Sequence, residues 1–128
     1  MKYLIALAFI MTTACQTNES ITAFAGNVTA FMLQSIDGAA FVAKATIDVS
    51  ESGKITGHGP CNRYSANQTA PYLWFSTGPI GSTRMACPDL AAEAQFFDAL
   101  STMTLVAVLG GTLILADDNG REMLFQAP

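Results

Sequence analysis

The chain has 128 residues, of which 51% are hydrophobic and 12% charged, with a formal net charge of -4. That size suits one domain with one core, and the apolar content argues against disorder. A weakly acidic chain with no basic run is poorly matched to nucleic acid or anionic lipid, so neither is expected as a partner.

Met1-Lys2 forms a short positive end before the apolar run Tyr3 to Met11. That run is far shorter than the roughly 20 residues that span a bilayer as a helix, and it reads as a secretory signal. The small residues Thr12, Thr13 and Ala14 then precede Cys15. The pattern resembles the lipobox of bacterial lipoproteins, in which the cysteine after a small residue is lipidated and becomes the new N-terminus. Thr12 stands where the lipobox usually has Leu, and an ordinary secretory signal is the alternative. Gln16 rather than Asp after the cysteine resembles outer-membrane sorting. The expectation is a signal peptide over 1–15, a lipid anchor at Cys15 and a domain facing the periplasm, or failing lipidation a secreted or periplasmic protein. Gln16 to Ser20 is polar without periodicity, so residues 16–27 are expected to tether the anchor to a domain over 28–126. The sequons at Asn27 and Asn67 would matter only in a eukaryotic secretory pathway.

Val28 to Ile36 reads as a first strand, and Asp37-Gly38 as a turn. Phe41, Ala43, Ala45, Ile47 and Val49 fall on alternate positions, with Lys44, Thr46, Asp48 and Ser50 on the other face, which predicts a half-buried strand. Glu51 to Lys54 supplies a turn, and Ile55 and its neighbours a third strand. Tyr72 to Phe75 reads as a fourth strand opened by Pro71, with Trp74 and Phe75 as core aromatics, one of which can face outward. Pro88 suits a first helical position and Asp89 complements the helix dipole. Leu90, Ala94, Phe97 and Leu100 recur at helical spacing as the apolar stripe, with Glu93 and Asp98 off it. Leu105 to Leu109, Thr112 to Leu115 and Glu122 to Gln126, separated by Gly110-Gly111 and Asp117 to Gly120, form a three-strand meander. The fold class expected is α+β, mainly β: a small antiparallel sheet of several short strands packed around one helix.

With Cys15 used by the anchor, Cys61 and Cys87 remain as an even pair in an oxidising compartment. A structural disulfide is the favoured reading, since the spacing is not C-x-x-C and a redox pair is disfavoured. Two cysteines and His58 leave a metal site short of ligands, so no metal is expected. Closing a loop of that length stabilises by about 3–4 kcal/mol in the chain-entropy view.

Gly57-His58-Gly59-Pro60-Cys61-Asn62-Arg63-Tyr64, Ser82-Thr83-Arg84-Met85-Ala86-Cys87-Pro88 and the helix carrying Glu93, Phe96 or Phe97, and Leu100 together resemble the META domain family, the family of HslJ-like heat-shock lipoproteins. Leu113, Leu115, Asp117, Gly120, Met123 and Phe125 agree with its late pattern. Pro60 stands where the family commonly has Gly, and the first strand lacks the family's Trp. The resemblance implies antiparallel strands around a helix, a paired Cys61 and Cys87, and roles in envelope stress, without a reaction, catalytic residue or cofactor to carry over.

Asn62, Arg63, Tyr64, Thr83 and Arg84 are the candidate binding surface, with Arg63 and Arg84 able to act as paired donors to an anion or peptide terminus. Their bland reading is turn chemistry beside the disulfide, with Arg84 paired to Glu93. His58, the sole histidine, reads as a loop residue rather than an acid–base catalyst. The function expected is a monomeric, non-enzymatic envelope lipoprotein, stress-related or binding an envelope protein partner. Alternatives are a carrier of a hydrophobic ligand, a binder like the lipoprotein pilots of secretins, or a small hydrolase using His58. A carrier would need a pocket of roughly 300 Å³ or more.

Overall fold

Period-two patterning governs most of the chain beyond Val28, and it folds as one antiparallel sheet. The structure, a computed structural model, describes residues 20–128. The expected signal peptide, the expected anchor at Cys15 and the first part of the expected tether lie outside the described residues. The strands are β1 (Ala30–Ile36), β2 (Ala39–Ala40), β3 (Thr46–Asp48), β4 (Lys54–His58), β5 (Arg63–Asn67), β6 (Gly81–Ser82), β7 (Leu105–Leu109), β8 (Thr112–Ala116) and β9 (Glu122–Gln126). Two helices, α1 (Ile21–Ala25) and α2 (Leu90–Thr102), complete the α+β, mainly-β domain, which is 39% strand and 17% helix.

The sheet is open, ordered β6-β5-β4-β3-β1-β9-β8-β7, with β2 pairing the end of β1. β1 joins the two halves: Ala30 to Met32 face β3, and Met32 to Ile36 face β9 across a bulge between Leu33 and Ser35. Alternate residues of successive strands point to one face and build the core: Phe31, Leu33, Ile47, Ile55, Tyr64, Val106, Leu113, Leu115, Met123 and Phe125. α2 covers that face with Phe96, Ala99 and Leu100. Each large apolar side chain fully buried this way contributes about 1.5–3 kcal/mol.

Four expectations need correction. Ala45, Ile47 and Val49 are buried in alternation, but the expected strand from Phe41 is interrupted and Val42 is 97% exposed. β1 pairs Ser35 with Ala40 and Met32 with Thr46, so the chain between Ala40 and Thr46 is longer than the segment it faces and must leave the ladder. Tyr72 to Phe75 is a turn rather than a fourth strand, with one isolated bridge from Trp74 to Leu105. Leu73 there takes φ 80°, which an extended ladder cannot continue. Third, Leu100 of the expected α2 stripe is buried, but the rest of the inward side is Glu93, Phe96 and Ala99, with Phe97 only half-buried and Leu90 46% exposed. Pro88 lies one residue before the N-cap Asp89 rather than inside the helix. Finally, the tether cannot run to 27, because Ser20 caps α1 by accepting from the Ala23 N–H, and Ile21 is buried in the core. Thr22 Oγ1 also donates to the Val49 carbonyl at 2.7 Å, fixing α1 to the sheet.

The connection after β5 touches both edges of the open sheet. Near its ends Gln68 bridges Thr77, and the Gly78 N–H donates to the Asn67 carbonyl at 3.0 Å. In its middle the Val106 N–H donates to the Leu73 carbonyl at 3.1 Å, and the Phe75 N–H to the Thr104 carbonyl at 2.8 Å. The outer edge of β7 is thereby covered, which removes an exposed pairing edge.

Candidate functional site

Cys61 and Cys87 are joined by a disulfide, with Cα atoms 5.9 Å apart. The bridge brings the turn between β4 and β5 against the segment that leads into α2. What holds these pieces in register is Glu93, 5% exposed in the first turn of the helix. Its Oε2 accepts from the N–H groups of Cys61 and Asn62, each at 2.7 Å, and its Oε1 from Asn62 Nδ2 at 2.7 Å. Charge-assisted bonds of this kind are roughly twice as strong as neutral ones.

Asn62, 3% exposed, carries the network onward. Its Oδ1 accepts from the Met85 N–H at 2.6 Å and from Thr83 Oγ1 at 3.0 Å, while Nδ2 also donates to the Met85 carbonyl at 3.2 Å. Thr83 in turn donates its N–H to the Arg63 carbonyl at 3.0 Å and accepts the Arg63 N–H on its hydroxyl at 3.2 Å. Close packing explains the glycines of the motif. A Cβ at Gly59 would stand 2.8 Å from Glu93 Oε2, and one at Gly57 would strike the Thr46 carbonyl. The ring of Tyr64 packs edge-on to Phe96 and Phe97, with centroids at 5.5 and 5.4 Å, and its hydroxyl donates to the Thr46 carbonyl at 2.7 Å. Burial, and secondarily the charge of Asp48, pushes the Tyr64 phenol well above its ordinary value.

Of the five candidate surface residues, Asn62 and Tyr64 are therefore buried and partnered, and Thr83 is tied into the loops. Arg63 and Arg84 remain exposed. They line different clefts that share Ser82 and Thr83. Glu93 is engaged by Cys61 and Asn62 rather than by Arg84. The position of Glu93 was readable as part of a stripe with Phe96 and Leu100, three and seven residues on, which a purely apolar stripe overlooks.

Of the α2 face expected to press on the sheet, Leu100 does so, while Leu90, Ala94 and one side of Phe97 floor an open groove of about 420 Å³. Leu90, Ala94 and Phe97 line one side, Thr83, Arg84, Met85 and Ala86 the other, and Met85 is 68% exposed. His58 is exposed in a second cleft of about 470 Å³, with Thr46, Asp48, Thr56 and Arg63 among its lining and no serine. Among the described residues no group of three or more His, Cys, Asp or Glu converges as a metal site, and no helix is long and apolar enough to cross a membrane.

No curated protein matches the chain. Its fold is similar to a protein from Burkholderia xenovorans solved by NMR, at 26% identity and TM-score 0.64, covering 90% of this chain and 93% of that one. A second NMR structure shares the fold at 20% identity and TM-score 0.61, covering 78% of this chain and 89% of the other. The META domain profile matches residues 23–128, and with the glycine-cysteine turn, the disulfide and the helix all in place, this chain belongs to the META domain family.

Proposed function

We propose that this chain is a non-enzymatic, lipid-anchored envelope module that acts under stress by contacting a protein partner through the groove beside the disulfide. The observation that carries the reading is the groove itself. Leu90 and Ala94 stand exposed beside the half-buried ring of Phe97, whose other side packs on the core, and the cation Arg84 borders this floor without an ion pair among the described residues. An apolar floor with a basic rim suits a partner segment that presents an apolar side chain beside a carboxylate.

The groove exceeds the roughly 300 Å³ that a hydrophobic-ligand carrier needs, yet it is open along its length. A small ligand is held by burying about 70–90% of its surface, and the interior that could do so is filled by Phe96, Leu100 and Phe125, each fully buried. A protein segment has no such requirement. For the hydrolase alternative, the cleft around His58 offers threonines and an aspartate but lacks the serine that scheme requires.

The test replaces Leu90 by Asp and Arg84 by Glu, both exposed, after confirming an unchanged melting temperature. These variants should fail to restore envelope-stress survival to a strain lacking the protein, and His58→Ala should restore it fully. Cys15→Ser should release the chain from the membrane fraction. Full rescue by the groove variants would overturn the reading, as would loss of a measurable turnover in His58→Ala.

A further inference from the structure

Away from the groove, three uncharged stretches meet at the β7 edge. Residues 20–36, 64–83 and 99–116 contain no Asp, Glu, Lys or Arg. Where they converge, Phe24 of α1 stacks on Tyr72 with ring centroids 3.8 Å apart. The Tyr72 hydroxyl accepts the Val108 N–H at 2.9 Å, which places the ring beside the end of β7. Phe24 is 52% exposed, Leu73 58%, Trp74 60% and, at the end of β7, Leu109 68%. Leu73 keeps its exposed apolar side chain at φ 80°, where Asn or Gly would sit more easily. A strained, solvent-facing leucine beside an exposed tryptophan does nothing for the core.

We infer that this aromatic edge seats on the surface of the bilayer to which Cys15 is anchored. The inference rests on lipidation at Cys15. Cys15 lies five positions before Ser20, the N-cap of α1, a reach of at most about 18 Å fully extended. The anchor thus holds α1, and with it the Phe24–Tyr72 stack, close to the headgroups. Trp and Tyr favour that layer because they combine an apolar ring with a polar tip, and Phe and Leu reach the acyl boundary below it. The absence of charge in all three stretches fits a neutral lipid surface, since no ionised group must be dehydrated as the edge settles. It fits a charge-steered protein partner poorly. The lipid anchor and the aromatic edge together make two attachments, which hold the domain in one orientation.

Trp74 is the single tryptophan of the chain and reports directly. The mature protein, purified with its N-terminal mass determined, is reconstituted in phosphatidylcholine vesicles and its flotation with them confirmed. Trp74 emission should shift to shorter wavelength, and lipids brominated on the acyl chains should quench it about twofold or more. Leu73→Asn and Phe24→Ser should reduce the quenching while the lipid anchor preserves flotation. Floating protein with unshifted, unquenched Trp74 overturns the inference and leaves the anchor standing. A mature chain without the lipid adduct overturns both, and the mass alone reveals it. A photo-crosslinker at Leu73 that captures a protein instead of lipid in intact cells also overturns the inference.

Discussion

Glu93→Gln isolates the interaction that holds the two motif segments to α2. The substitution preserves shape but turns one acceptor oxygen into a donor. If the remaining oxygen keeps the N–H groups of Cys61 and Asn62, the new NH2 faces Asn62 Nδ2, where an acceptor stood at 2.7 Å. Flipping the Asn62 amide relieves nothing, because its Oδ1 is needed by the Met85 N–H and by Thr83 Oγ1. Hydrogen bonds to a charged group are worth about 1.5–3 kcal/mol and neutral ones about 0.5–1.5. Two bonds weakened by about 1 kcal/mol each, and a third replaced by opposed donors, predict a loss of about 3–5 kcal/mol. That is a large share of the roughly 5–15 kcal/mol of a typical domain. Urea unfolding with the disulfide intact, followed by circular dichroism and Trp74 emission, measures it. Asn62→Asp alone should be as damaging, since it sets two carboxylates against each other. Combined with Glu93→Gln it restores a donor opposite an acceptor, so the double variant should be at least about 2 kcal/mol more stable than the sum of the singles. A loss below about 1 kcal/mol for Glu93→Gln, or strict additivity, would refute the network as the element that holds the loops.

Two further outcomes follow from the same region. Replacing Cys61 and Cys87 together by Ala should destabilise the domain by about 3–4 kcal/mol, read as a lower melting temperature, while the strand signal in circular dichroism persists at low temperature. Tyr64 tests burial through pH: its phenol is raised in the folded state above the ordinary value near 10, so its contribution to stability is complete below about pH 10 and declines above it, as the unfolded chain gives up a proton that the folded chain retains. Tyr64→Phe should therefore flatten the alkaline part of the stability profile, measured by urea midpoints between about pH 9 and 11.

Sequence patterning made the C-terminal half legible because its connections are short. β7, β8 and β9 are joined by tight turns, so each strand finds its partner locally and alternation alone sets the register. β5 went unseen between two motif segments. Its residues Arg63 to Asn67 alternate only through Tyr64 and Ala66, and the surrounding Gly, Asn and Ser read as turn. Tyr72 to Phe75 misled for the opposite reason. It has the composition of a strand, yet it is held across the edge of β7 by contacts some thirty residues away in the chain, which local propensity does not register. Helix α2 was legible as a helix but rotated, because the apolar count favoured Leu90, Ala94 and Phe97 over a stripe that contains an acid. A buried carboxylate is intelligible only once its donors are known, and the Cys61 and Asn62 N–H groups lie 32 and 31 residues upstream.

That rotation changes where function is to be sought. The residues that make the motif recognisable are mostly consumed in building it: Gly57 and Gly59 allow close approach, Asn62 and Thr83 lace the segments, Glu93 anchors them, and the disulfide closes the turn. The side chains of Asn62, Thr83 and Glu93 are thus engaged in holding the segments together. That arrangement also positions what lies next to it. Turning Glu93 inward leaves Leu90 and Ala94 outward on a neighbouring face of the same helix, with Phe97 at the border between core and groove, and the lacing holds Arg84 and Met85 opposite them. On this argument the motif is the scaffold and the groove its product. Substitutions that spare the network but alter Leu90, Arg84 or Met85 should therefore separate function from folding, whereas substitutions at Asn62 or Glu93 should never do so.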